Sequence, residues 1–223
     1  MVVAIDGPAG SGKSVVAERV AAKTGFAYLN SGSLYRAISK KVLESGNPPE
    51  DHTLILKIAS SCKFEVRGNE LLLNGEPVSG IQTDSIDRWS AIHSSILEVR
   101  LIVNRQLRAV AAGKDIVVMG RDIGTVVFPD AEVKIYLDAT IEARAARRYR
   151  QGLSNLNEQQ IRAGIEQRDS IDRSKPFGKL ERASGAVYID TSDLTIDQVC
   201  ETVVREILKA REINRELNTG NEL

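Results

Sequence analysis

The sequence predicts an α/β fold: a doubly wound parallel sheet flanked by helices, with a small inserted β-meander. Three observations predict it. Short apolar runs rich in β-branched residues alternate with stretches of helical period along the 223 residues. The first of these runs, Val2–Asp6, ends in a glycine-rich turn that opens directly into a helical pattern. From Cys62 to Val78 the texture changes to apolar–polar alternation punctuated by Gly68-Asn69, the pattern of short antiparallel strands.

Taken in order, Val2–Asp6 reads as a buried parallel strand. Lys13–Thr24 follows as a helix with Val16, Val20 and Ala21 on one face and Gly25 as its stop. Ala27–Asn30 is a second strand and Ser33–Glu44 a second helix. After the loop Gly46-Asn-Pro-Pro, Asp51 is placed to cap a helix through Ser60. Cys62–Arg67, Glu70–Asn74 and Glu76–Val78 form the meander. Helical patterns resume from Asp84 to Ala112. Asp115–Met119 and Val133–Leu137 are strands, Thr140–Gln151 and Glu158–Arg168 helices, and Ala186–Ile189 the last strand. Thr195-Ile-Asp-Gln198 is a capping box opening a helix whose Ile196, Val199, Cys200, Val203, Ile207 and Leu208 follow the 3.6-residue period. Arg211–Leu223 is polar and is expected to fray.

Composition narrows the function classes. A hydrophobic content of 42% with 27% charged residues is that of a globular chain, which buries a core without disulfides or a structural metal. Thirty Lys+Arg balance thirty Asp+Glu, and aromatics are 4% of the chain, so a nucleic-acid-coating role is not expected. Cys62 and Cys200 both fall on apolar positions and read as reduced core residues. The apolar start Met1–Ile5 has no basic flank and is cut off by Asp6, and no run approaches a membrane span, so a cytoplasmic protein is expected.

The chemistry begins at Gly7-Pro-Ala-Gly-Ser-Gly12-Lys13-Ser14, which fits G-x-x-x-x-G-K-[ST] between a strand and a helix start. Glycines let the backbone wrap an anion with its N–H groups inward, and the helix N-terminus adds partial positive charge. Gly7, Pro8, Ala9, Gly10, Ser11, Gly12, Lys13 and Ser14 are therefore candidates for binding ATP, with Lys13 on the β- and γ-phosphates and Ser14 offering a hydroxyl to Mg²⁺. The motif alone says nucleoside triphosphate site. A guanine-reading N-K-x-D is absent, and the length suits a small kinase of nucleotides or metabolites.

Four further blocks follow in fixed order. They are Leu29-Asn-Ser31-Gly32-Ser-Leu-Tyr35-Arg36, Glu98-Val-Arg100, Gly120-Arg121-Asp122-Ile-Gly124-Thr-Val-Val-Phe-Pro129-Asp130, and Arg168-Asp169-Ser-Ile-Asp172-Arg173. Behind a P-loop, this series resembles the bacterial cytidylate kinases of the nucleoside monophosphate kinase family, from Val3 to about Ile207. The resemblance implies a P-loop core over 1–36, 84–148 and 177–213, with an inserted monophosphate-binding region at 37–83. It also implies a helical lid at 149–176, and the polar tail is 214–223. It implies transfer of the γ-phosphoryl of Mg·ATP to CMP or dCMP, while the sequence, with no unpaired apolar stripe evident, leads us to expect a monomer with neither nucleic acid nor membrane as partner. By the same resemblance Ser31 contacts the cytosine, Arg36 holds the monophosphate, and Arg100 and Asp122 read the base. Arg121 and Arg168 hold the acceptor phosphate and, with Lys13, are the catalytic residues. Asp172 takes the sugar hydroxyl.

Base chemistry agrees with these roles. Cytosine offers an amino donor at N4 and acceptors at N3 and O2, which a carboxylate and guanidiniums satisfy, whereas uracil would set acceptor against acceptor. The sequence also departs from the family pattern. Asn30 replaces a carboxylate near the metal, Ala91 replaces a base-contacting serine, and the substrate-side candidate Lys175 replaces an arginine. The stretch Tyr149–Glu158 is shortened. Arg144, Arg147, Arg148 and Arg150 are either a solvated helix face or lid arginines, with Arg144 and Arg148 the stronger candidates and Arg148 the one assigned to ATP. His52 and His93 read as structural or surface residues and Trp89 as a packing residue, Asp138 as a helix cap and Asp130 as a turn residue. The alternatives are a kinase of UMP, AMP or shikimate, and a nucleotide-dependent binding protein without transfer.

Overall fold

A computed structural model describes residues 1–68, 70–152 and 156–219. The chain divides into two compact units, Met1–Phe26 with Ile116–Leu223, and Ala27–Asp115.

In the first unit, β1 (Val2–Asp6), β6 (Ile116–Met119), β7 (Val133–Asp138) and β8 (Val187–Asp190) lie in the order β6-β1-β7-β8, all parallel. Val3 faces Val117 on one side and Val133 on the other, and Val3, Ala4 and Ile5 are fully buried. A strand between two neighbours and covered on both faces must be apolar throughout, which is why Val2–Ile5 shows no alternation. Helices α1 (Lys13–Thr24) and α8 (Ile196–Thr219) pack against each other, with the Cys200 thiol against the Val16 carbonyl. Gly25 ends α1 at φ +73°, and Thr195 and Gln198 close the expected capping box of α8. That helix continues to Thr219, past the point where fraying was expected to start.

Helix α6 (Ile141–Arg150) is capped by Thr140, whose hydroxyl accepts from the Ala143 N–H, and not by Asp138. The Asp138 carboxylate takes the Ala139 N–H instead, since it sits two residues too early to reach the first turn. Helix α7 (Glu158–Ser174) opens on an Asn157–Gln160 capping box and runs past Arg168, where the sequence reading ended it. The apolar period stops at Ile165, but the buried stripe goes on through Asp169 and Asp172. A hydrophobic pattern cannot report a helix whose buried face turns ionic.

The second unit starts with β2 (Ala27–Asn30), α2 (Ser31–Glu44) and α3 (His52–Ser61), the last capped by Asp51 as expected. Strands β3 (Phe64–Arg67), β4 (Glu70–Leu73) and β5 (Glu76–Pro77) form the antiparallel meander. The expected turn residue Asn69 lies outside the described residues. The helical patterns expected from Asp84 to Ala112 form two helices, α4 (Asp84–His93) and α5 (Leu97–Ala111). The break has a local cause. The hydroxyls of Ser94 and Ser95 both donate to the Ala91 carbonyl, competing with the backbone ladder, and Ile96 is extended. Gln106 on α5 docks the meander by accepting from the Phe64 N–H and donating to the Cys62 carbonyl. Cys62 and Cys200 are buried free thiols, and burial pushes Cys62 up to about 11.

Candidate active site

In the first unit the loop between β1 and α1 is shaped by its glycines at two points. Gly7 has φ +147°, and a Cβ there would stand 1.9 Å from the Leu137 carbonyl oxygen, so no larger residue fits. Gly12 caps α1 at φ +90° and faces open space. Lys13 is buried, its ammonium donating to the Pro8 carbonyl at 2.5 Å and the Ser11 hydroxyl at 3.3 Å. Ser14 follows on the exposed face of the first helical turn.

Electrostatics brings the other candidates of this unit to the loop. Burial, followed by the nearby charges of Arg121 and Arg168, holds the Lys13 ammonium well below the usual lysine range. Asp6 and Asp169 act in the opposite direction. Three expected phosphate-side cations therefore share one electrostatic neighbourhood. Asp6, at the end of β1, was not among the candidates. It is buried, and its carboxylate accepts the N–H groups of Ile123 at 2.8 Å and Gly124 at 2.7 Å. Those two bonds fix the single π-type turn Ile123–Val127 that follows Arg121 and Asp122. Burial raises the Asp6 carboxyl to about 6, against the lowering effect of the two N–H groups, and the charge of Asp122 adds to the rise.

Asp172, Arg121 and Lys175 come together. The Arg121 Nε and the Lys175 ammonium each donate to Asp172, both at 2.9 Å. Burial works against the Asp172 charge, yet Arg121 and Lys175 hold its carboxyl below the ordinary range.

The arginines of α6 separate. Arg144 is not on a solvated face. It is buried, its Nη1 pairs with Asp169 and also donates to the Ala9 carbonyl at 3.0 Å, and its Nε donates to the Ala139 carbonyl at 3.0 Å. Asp169 in turn accepts the Ala9 N–H at 3.1 Å. The Ala9 peptide is thus clamped on both sides by an ion pair joining α6 to α7. Arg147 donates to the Thr191 hydroxyl and to the Thr191 and Ser192 carbonyls, while Arg148 is exposed and donates to Gln151. Residues 153–155, inside the expected lid, lie outside the described residues. Asp169 was missed although it adjoins Arg168, because a carboxylate in a helix reads as surface until its burial is known.

The second unit holds Ser31, Arg36 and Arg100. Ser31 is the buried first residue of α2. Asn30 is the cap of that helix, its Oδ1 accepting the Gly32 N–H at 3.0 Å. Arg100 is buried, donates to the Ser94 carbonyl at 3.1 Å and lies 5.8 Å from the Tyr35 ring centroid. Arg36 Nε donates to Asp87 at 2.6 Å. His93 is structural, as expected: it joins Ser39 and the Pro49 carbonyl, each at 2.9 Å, and packs on Trp89. This unit also contains a cavity of about 870 Å³ lined by Asn30 and Ser33 and by residues 78–83, and Ser31, Arg36 and Arg100 are not among its walls.

Comparison with known proteins decides the family. The cytidylate kinase family model matches residues 3–209. The chain belongs to the cytidylate kinase family. It is 41% identical over 211 residues to the cytidylate kinase of Caldanaerobacter subterraneus subsp. tengcongensis, covering 93% of this chain and 94% of that one. It is 40% identical over 222 residues to the cytidylate kinase of Borrelia turicatae, covering 96% and 100%. An uncharacterized protein from Eubacterium ventriosum aligns with a TM-score of 0.50 at 12% identity, over 93% of this chain and 98% of that one, a likeness of fold.

Proposed function

We propose that this chain transfers the γ-phosphoryl of Mg·ATP to the phosphate of CMP or dCMP, yielding ADP and CDP or dCDP. The observation that carries this reading is the convergence of buried Lys13 with Arg121 and Arg168 at the glycine loop. Like charges gather in a folded protein where a polyanion neutralises them, and a nucleotide phosphate at a helix N-terminus is such a polyanion.

The residues fit the nucleotide. The loop supplies main-chain N–H groups from Gly10 to Gly12, since Pro8 has none and Asp169 holds that of Ala9, with Lys13 the ammonium and exposed Ser14 the hydroxyl for the metal. Ser14 would hold Mg²⁺, which would supply charge to neutralise the phosphates. Asn30 contributes no anion to it, and its Oδ1 is engaged as a helix cap. The acceptor oxygen is already anionic, so no general base is required, and Lys13, Arg121 and Arg168 act by neutralising and aligning the reacting phosphates. Asp122, with Arg100 and Ser31, reads cytosine, and Arg36 holds the acceptor phosphate. Asp172 takes the sugar hydroxyl while it orients Arg121 and Lys175. Residues 149–176 serve as the lid, with Arg148 facing ATP. On this reading the enzyme works in the cytoplasm as a monomer, without nucleic acid or membrane.

The test is ADP release with Mg·ATP and CMP, dCMP, UMP, AMP or shikimate in turn. Turnover confined to CMP and dCMP is expected. Comparable turnover of UMP would overturn cytosine reading by Asp122. Silence with every acceptor, while ATP still binds, would replace the kinase by a nucleotide-dependent binding protein.

A further inference from the structure

The Arg36 guanidinium is held from two sides. On one, Asp87 of α4 accepts from its Nε at 2.6 Å, the two side chains being 21% and 34% exposed. On the other, a Cβ built on Gly32 would stand 3.3 Å from its Nη1, so that nitrogen lies over the first turn of α2. The helix N-terminus there is capped by Asn30 and adds its own partial positive charge. A guanidinium is planar, so engaging Nε on a carboxylate fixes the direction in which its Nη edge points. Helices α2 and α4 pack against each other, and Asp87 lies in the first turn of α4 behind the Thr83 cap. The carboxylate is therefore as firmly placed as the guanidinium it holds.

From this geometry we infer that Asp87 is a positioning residue for the acceptor. It pins Arg36 through Nε and leaves the Nη edge, over the α2 first turn, to meet the acceptor monophosphate. Asp87 lies outside every motif block of the sequence, 51 residues from Arg36, and only the packing of α4 on α2 joins them. The inference rests on the reading that Arg36 binds the acceptor phosphate, so the experiment separates the two.

Steady-state kinetics would be run on the full chain with Asp87→Asn, Asp87→Ala, Arg36→Ala and the double variant Arg36→Ala/Asp87→Ala. Asp87→Ala is expected to raise KM for CMP about 10-fold, the size of losing the alignment of one charge-assisted bond, with kcat and KM for ATP within about two-fold. Asp87→Asn, which keeps an acceptor oxygen, should recover part of the loss. On the Arg36→Ala background, Asp87→Ala should have no further effect on KM for CMP. An Arg36→Ala variant with unchanged KM for CMP would remove Arg36 from the acceptor site, whatever Asp87 does. If Arg36→Ala raises KM while Asp87→Ala leaves it unchanged or lowers it, Asp87 does not position Arg36. A rise in KM for ATP equal to that for CMP would make Asp87 a general support of the fold and overturn the proposal as well.

Discussion

Asp169→Ala tests the clamp on the phosphate loop. The substitution leaves Arg144 buried without its anion, because the two side chains are 7% and 3% exposed and water cannot reach in to replace the carboxylate. Breaking a buried pair by removing one partner costs about 3–5 kcal/mol, most of it the uncompensated charge. The Ala9 N–H loses its acceptor in the same step, but that loss is not added separately, since both effects share one side chain. Taking a urea slope of about 3 kcal/mol per molar for a chain of this size, the unfolding midpoint should fall by about 1–1.7 M. The assay is urea unfolding of the first-unit reporter Tyr136, which lies in β7 beside Tyr188, together with far-UV circular dichroism for the whole chain. Asp169→Leu combined with Arg144→Met should recover most of the loss, because no charge then remains buried. A midpoint within about 0.3 M of the parent, or no coupling between the two sites in a double-mutant cycle, would refute the argument that the ion pair anchors Ala9.

Lys13→Ala should lower kcat by orders of magnitude with little change in melting temperature, because it removes a buried cation whose charge the fold itself disfavours. Near-parent turnover would exclude the ammonium from the phosphate site. Asp6 gives a pH signature. Its folded carboxyl is raised to about 6 from an ordinary 3.8, so the native state binds its proton more tightly and stability falls as pH rises between those values, by about 3 kcal/mol, then stays level. Asp172, held low, works the opposite way, gaining stability as pH rises toward 3.8, so the Asp6 effect is read between pH 4.5 and 7 as the difference between the parent and Asp6→Asn. A difference that does not change over that range would show that Asp6 is not protonated in the fold.

The sequence made the fold legible wherever burial is apolar. Val2–Asp6, Lys13–Thr24 and the capped starts at Asp51 and Thr195 emerge where the patterns put them, because period and capping chemistry are local. The P-loop and the blocks around Arg36, Arg121 and Arg168 were legible for a different reason. Chemistry that needs several groups at fixed spacing leaves a motif. What stayed hidden is the layer that holds those groups. Asp6 supports the turn after Asp122, Asp169 clamps Ala9, and Asp87 holds Arg36, each from a distant part of the chain. A single carboxylate carries no spacing of its own, so its role exists only once tertiary packing has chosen its partner. The same limit explains α7, whose buried face beyond Ile165 is made of acids.

These carboxylates also answer a problem that the cations create. Burial first, and then repulsion from Arg121 and Arg168, holds the Lys13 ammonium low in the first unit. The charges of Asp6 and Asp169 offset part of that repulsion at Lys13. Asp172 takes Arg121 and Lys175, Asp169 takes Arg144, and Asp6 gives both oxygens to backbone N–H groups. Each acid is thus committed to orienting a neighbour, and the charge around Lys13 is left for an incoming anion to balance. A polyphosphate in the loop and a proton on Lys13 then favour each other, since each lowers the cost of the other. On the proposed assignment, binding energy from the nucleotide would relieve this repulsion, and the same groups would meet the charge that spreads over the transferring phosphoryl.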